Sequence, residues 1–104
     1  MNAYTTKWPT AVEGSRVSER QRKAARDIID HVARQHSVSV RDIMGRSRLP
    51  NIVAARQEAM RLVHSTGLKL GQVGLIFKRD HSTVLTNIRR AEARINTAPK
   101  GTKK

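Results

Sequence analysis

Asp80, His81, Ser82 and Thr83 set a carboxylate, an imidazole and two hydroxyls side by side in the chain. At the start of a helix, short groups of this kind suit the edges of bases in a major groove. A carboxylate accepts from a cytosine amino group or caps the helix, an imidazole donates or accepts, and a threonine methyl meets a thymine methyl. A second group, Gly45-Arg46-Ser47-Arg48-Leu49-Pro50, is a basic loop. Enzymatic chemistry finds less support. The histidines are His31, His36, His64 and His81, and no two are four apart as a helical metal pair would be. Asp27 and His31 share a helix face, and that pair reads as a surface contact. No nucleophile has an evident base beside it. The expectation is a chain with no catalytic centre, no cofactor, no metal and no small-molecule substrate.

Composition narrows the partner. Lys and Arg number 21 against 8 Asp and Glu, a formal net charge of +13 over 104 residues. Self-repulsion of that size opposes compaction, and a polyanion relieves it. The chain holds one Trp, one Tyr and one Phe. So few aromatics argue against a membrane-surface helix and against single-stranded nucleic acid, whose bases stack on aromatic side chains. Duplex DNA remains. With no cysteine there is neither a disulfide nor a thiolate metal site. No apolar run approaches the roughly 20 residues of a membrane span, and the first ten residues lack the apolar stretch of a signal peptide. A cytoplasmic, nucleoid-associated protein is expected.

The elements that position these groups follow from periodicity and caps. Residues 1–17 show no period and read as a flexible arm, in which Trp8 is expected to pack on the domain's own surface. Ser18 with Gln21 has the capping-box pattern and opens a helix from Glu19 to about His36, with Ala25, Ile28, Ile29, Val32 and Ala33 inward. Ser39 caps a short helix, Val40 to Met44, which Gly45 ends. Pro50 suits the start of a third helix, from about Asn51 to Ser65, with Ile52, Ala55, Ala59, Leu62 and Val63 inward and Gly67 closing it. A fourth helix, Leu70 to Phe77, contains Gly74, a costly residue there that implies close approach of another helix. Lys78 and Arg79 form a turn, Asp80 caps, and a fifth helix runs to about Asn96, with Val84, Ile88, Ala91 and Ile95 inward and Leu85 beside them. Residues 97–104 read as a basic disordered tail. The whole is one all-α domain, a small bundle of about five helices over residues 18–96. Its last two helices and their tight turn match a helix-turn-helix, whose second helix enters the major groove N-terminus first.

The segment Arg79-Asp80-His81-Ser82-Thr83-Val84-Leu85 resembles the Arg-Asp-His-Thr/Ser-Thr-Val-Leu/Ile signature of the C-terminal DNA-binding domain of the bacterial replication initiator DnaA. Ala55-Arg56-Gln57-Glu58-Ala59-Met60 is similar to its Arg-Gln-x-Ala-Met segment, and Leu70-Gly71-Gln72-Val73-Gly74 to its Leu-Pro-Glu-Ile-Gly. Val40-Arg41-Asp42-Ile43-Met44-Gly45 with the following Arg-Ser-Arg is similar to its short helix and basic loop. The likeness covers about Ser18 to Ile95. It implies a Trp-repressor-like fold and sequence-specific binding of double-stranded DNA at DnaA-box-like sites. Arg48, beside Arg46, would enter the minor groove, which suits an arginine. Asp80, His81, Ser82 and Thr83 would read bases. Arg56 and Gln57 would touch the DNA backbone, and Gly71, Lys78 and Arg79 would lie near the duplex. The chain departs from the family at Gly71 (usually proline), Lys69 (commonly Ser), Thr86 (usually histidine) and in its tighter turn. No Gly-x-x-x-x-Gly-Lys-Ser/Thr phosphate loop occurs in these residues, so the resemblance implies the DNA-binding end without ATPase activity. Regulation of replication initiation or of transcription is the implied role. The alternative is a mimic of the initiator domain that contacts DnaA or its regulators.

Overall fold

The computed structural model describes residues 17–103, with side chains described for residues 17–95. Among the described residues the chain forms five helices: α1 Glu19–His36, α2 Val40–Met44, α3 Pro50–Ser65, α4 Leu70–Phe77 and α5 His81–Lys103. Of the expected arm, residues 1–16, with Trp8, lie outside the described residues, as do the side chains of the expected lysine-rich tail, while Val17 is not part of a free arm but is buried in the core.

The caps act much as the sequence implies. The Ser18 side chain accepts from the Gln21 amide at 3.1 Å and the Gln21 side chain accepts from the Ser18 amide at 2.9 Å. Ser39 accepts from the Asp42 amide at 2.9 Å. Pro50 is the first residue of α3, where its missing N–H costs nothing. At the end of α1, Ser37 turns left-handed (φ 56°) and the Val38 amide reaches back to the Ala33 carbonyl at 2.9 Å. Gly45 ends α2 without a left-handed turn, at φ −88°. Gly67 (φ 107°) leads the chain out of α3.

The central helix is α3, which packs on α1, α2, α4 and α5. A helix with four neighbours buries more than one stripe. Its buried set is Ile52, Ala55, Arg56, Gln57, Ala59, Met60 and Val63, while Leu62 is half-buried. Around it close Ala25, Ile29, Val32 and Ala33 of α1, Ile43 of α2, Val73, Ile76 and Phe77 of α4, and Val84 and Ile88 of α5. Ile95, expected inward, is exposed.

One boundary differs from the sequence reading. The helix α5 continues to Lys103 rather than stopping near Asn96. Proline fixes φ near −65°, a helical value, so Pro99 stands within the helical span at the cost of one hydrogen bond.

Candidate nucleic-acid interface

The turn between α4 and α5 is built on Gly74. The Arg79 amide donates to the Gly74 carbonyl at 2.9 Å. A Cβ on Gly74 would stand 2.5 Å from the Arg79 carbonyl oxygen, so only glycine lets the turn fold back this closely. What comes nearest the glycine is thus the backbone of the helix-turn-helix turn, at Arg79, rather than the other helix that the sequence suggested. Lys78 takes the left-handed conformation (φ 58°) that sharpens the turn. Lys69 precedes α4 and its amide donates to Gln72 Oε1 at 2.8 Å, so half of a capping box persists where the usual serine is replaced.

At the start of α5, Asp80 caps. Its carboxylate accepts from the Ser82 amide at 3.2 Å and from the Ser82 hydroxyl, and its carbonyl accepts from the Val84 amide at 3.0 Å. The Ser82 bonds, side chain first, hold the Asp80 carboxyl below the usual aspartate range. Residues 81–83 are exposed while Val84 is buried, so the polar leading edge projects from the protein and the apolar stripe anchors the helix. Thr86 Oγ1 donates to the Ser82 carbonyl at 3.1 Å and Asn87 Nδ2 to the Thr83 carbonyl at 2.8 Å.

A concavity of about 470 Å³ brings Gly71, Gly74 and Leu75 of α4 together with Lys78, Arg79, Asp80 and His81. Gly71 is half-buried and Lys78 exposed. In the loop between α2 and α3, Arg46 and Arg48 are exposed. Arg79, half-buried, spans from this turn to that loop: one terminal nitrogen donates to the Phe77 carbonyl at 3.2 Å and the other to the Gly45 carbonyl. Burial first, and then the nearby Arg46, push the Arg79 guanidinium below its ordinary value.

Two residues expected at the DNA backbone stand elsewhere. Arg56 is 8% exposed and Gln57 3%. The Arg56 guanidinium donates from Nε to the Ile43 carbonyl at 2.8 Å, and from its terminal nitrogens to the carbonyls of Ser47 and Asp42, each at 3.0 Å. Gln57 Oε1 accepts from Arg94 at 2.8 Å. The physical reason is the position of α3 in the middle of the bundle, which turns both side chains inward. Burial, then Arg79, lower the Arg56 pKa, with Asp42 opposing.

Two residues escaped the sequence reading. Leu49, 60% exposed in the basic loop, and Leu75, 50% exposed in the concavity, are large apolar groups on this face. Their signal was available: Leu75 lies off the stripe of Leu70, Val73, Ile76 and Phe77, and an apolar residue off the stripe has no core to enter. Among the described residues no group of three or more His, Cys, Asp or Glu could hold a metal ion, and no helix is long and apolar enough to cross a membrane.

Residues 25–91 match the family model described as the bacterial dnaA protein helix-turn-helix. The chain is 42% identical over 65 residues to the chromosomal replication initiator protein DnaA of Tropheryma whipplei (strain Twist), covering 62% of this chain and 14% of that protein. It is 40% identical over 83 residues to the DnaA of Rhodopseudomonas palustris (strain TIE-1), covering 78% and 18%. The protein named chromosomal replication initiator protein DnaA 1 of Chlamydia pneumoniae is 41% identical over 69 residues, covering 65% and 15%. The chain thus spans less than a fifth of the length of each of these relatives. No solved structure matches it.

Proposed function

The chain belongs to the family of bacterial DnaA helix-turn-helix domains, and from that membership we propose that it binds double-stranded DNA at DnaA-box-like sites. The bound chain would regulate replication initiation or transcription. One observation carries the reading. His81, Ser82 and Thr83 stand exposed on the first turn of α5, with Lys78 exposed on the turn before them and Asp80 fixing the helix end. A helix N-terminus carries partial positive charge and attracts phosphate and base acceptors. In the helix-turn-helix docking mode this end enters the major groove. His81 and Thr83 then read base edges, and Ser82, whose hydroxyl is held by Asp80, reads or positions.

The arginines of the basic loop extend the contact. Arg48 enters an adjacent minor groove, where a guanidinium meets concentrated negative potential, and Arg46 lies along the backbone. Gly71 and Arg79 lie near the duplex, and Leu75 offers an apolar surface for a thymine methyl.

The test is a titration of the full chain on a DnaA-box duplex and a scrambled duplex at two salt concentrations. The box is bound more tightly, and log K falls by about 0.9 per log unit of salt for each phosphate neutralised. Arg48→Ala weakens binding and flattens the preference for the box. His81→Ala or Thr83→Ala costs about 1–3 kcal/mol of discrimination. Equal affinity of the unaltered chain for box and scrambled duplexes would reject the reading.

A further inference from the structure

The loop between α2 and α3 has little hydrogen bonding of its own. Within residues 46–49 the Leu49 amide donates to the Ser47 hydroxyl at 3.3 Å. The Leu49 carbonyl is taken by the Ile52 and Val53 amides at the start of α3, at 3.0 and 2.9 Å, while the carbonyls before it are held from farther along the chain. Arg56, from α3, takes the carbonyls of Asp42, Ile43 and Ser47, and Arg79, from the helix-turn-helix turn, takes the carbonyls of Gly45 and Phe77. The two guanidiniums therefore grip four carbonyls between residues 42 and 47, and one of them also grips the turn that launches α5.

The chemistry suits the task. The helix α2 has five residues, so most of its last carbonyls lack helical partners, the Asp42 carbonyl accepting from the Gly45 amide at 3.2 Å. A rigid planar fork spans several carbonyls at once, and cations are favoured at a helix C-terminus. The arrangement also has a cost. Burial first, and then Arg79, lower the Arg56 pKa, with Asp42 opposing. A pair of buried or half-buried arginines bonded to carbonyls rather than carboxylates is kept for geometry.

We propose that Arg56 and Arg79 are positioning residues: together they fix the loop bearing Arg46 and Arg48 at a set offset from the leading edge of α5. Minor-groove and major-groove contacts are thereby made in one register. This rests on the proposed binding mode and goes beyond it, because it takes Arg56 off the DNA and makes sequence discrimination depend on a residue that touches no base.

The decisive variant is Arg56→Lys in the full chain, since lysine keeps the charge but cannot span three carbonyls. Two readouts separate the brace from the binding mode. Without DNA, the backbone heteronuclear NOE of residues 45–49 falls in Arg56→Lys while that of α3 is unchanged. With DNA, the box-to-scrambled ratio falls about tenfold, a loss within the range of a good base contact, while affinity for the scrambled duplex changes less than about twofold and the salt slope is kept. In an Arg48→Ala background the same substitution costs little more, because residues acting as a unit are not additive.

An ordered loop in Arg56→Lys overturns the brace. So does a uniform loss on both duplexes in Arg56→Gln with a salt slope reduced by about one, the mark of a phosphate contact. If the Arg56 variants fail to fold, Arg79→Lys, at a half-buried site, carries the heteronuclear NOE measurement: residues 45–49 lose order if the brace holds, and an ordered loop overturns it. Absence of box preference in the unaltered chain rejects the binding mode, and the NOE measurement still decides the brace.

Discussion

Replacing Gly74 by alanine sets two physical effects against each other, and its sign tests the structure of the turn. Gly74 lies inside α4, and in a helix interior alanine is better than glycine by about 0.8–1 kcal/mol. On helix propensity alone the substitution stabilises. The new Cβ, however, would stand 2.5 Å from the Arg79 carbonyl oxygen, 3.6 Å from its carbon and 3.8 Å from the His81 nitrogen. Ordinary contacts between such atoms are roughly 3.5 Å or more, so the turn must retreat by about an ångström. The obstacle is backbone, and its movement strains the Arg79 amide bond to the Gly74 carbonyl and the Arg79 bond to the Gly45 carbonyl. Overpacking of this kind costs about 1–3 kcal/mol. Because the obstacle is backbone at 2.5 Å, the cost falls in the upper part of that range, about 2–3 kcal/mol, and subtracting the propensity gain leaves a destabilisation of about 1–2 kcal/mol, or a fall in Tm of roughly 5–15 °C for a domain of this size. Urea unfolding followed by far-ultraviolet circular dichroism measures it. A midpoint equal to or above that of the unaltered chain would refute the close approach, and with it the geometry on which α5 is aimed.

Away from the candidate face, Ser37→Gly relieves the left-handed backbone at the end of α1 and raises stability by up to about 1 kcal/mol without altering DNA affinity, checked by thermal melting and titration. Ser18→Ala removes the side-chain half of the α1 capping box and costs about 1 kcal/mol, with faster amide exchange confined to the first turn of α1. The bond from Arg61 holds the Glu58 carboxyl below its usual range, burial opposing and the charges of Arg61, His36 and Arg94 adding to the shift. A folded-state pKa below the unfolded one means that this stability is present above the ordinary glutamate value, near 4.3, and is lost as pH falls through the depressed value. Glu58→Gln therefore flattens the acid limb of a Tm-against-pH curve, and an unchanged limb would count against the pairing.

The helices α1, α2 and α4 were legible because their limits are local. Ser18 with Gln21, Ser39 with Asp42, and the apolar spacing of Leu70, Val73, Ile76 and Phe77 each act within a few residues. The close approach at Gly74 was legible too, although not its partner. Arg56 and Gln57 were not, because nothing near them in the chain marks a buried polar side chain. The partners of Arg56 lie among residues 42–47 and that of Gln57 is Arg94, so their burial follows from α3 standing at the centre. Met60 disappears into the core for the same reason. The extension of α5 past Pro99 was hidden by a residue that ends most helices yet fits the helical φ.

The placement of charge separates stability from binding. Three ion pairs join described residues, Lys23–Asp27, Arg34–Asp30 and Arg61–Glu58, each within one helix. The two exposed pairs contribute little. None of the three involves Arg46, Arg48, Lys78 or Arg79, and Arg46 is close enough to Arg79 to make its protonated form less favourable. A fold selected for stability alone would place carboxylates there. The one acid on the leading edge, Asp80, is occupied in capping α5 through Ser82. The face thus keeps a standing repulsion, and in the proposed binding mode a phosphate arriving there relieves it, so part of the binding free energy would be repulsion released from within the chain. Salt then acts with opposite signs on the two properties: screening eases the repulsion within the free domain and weakens its hold on DNA.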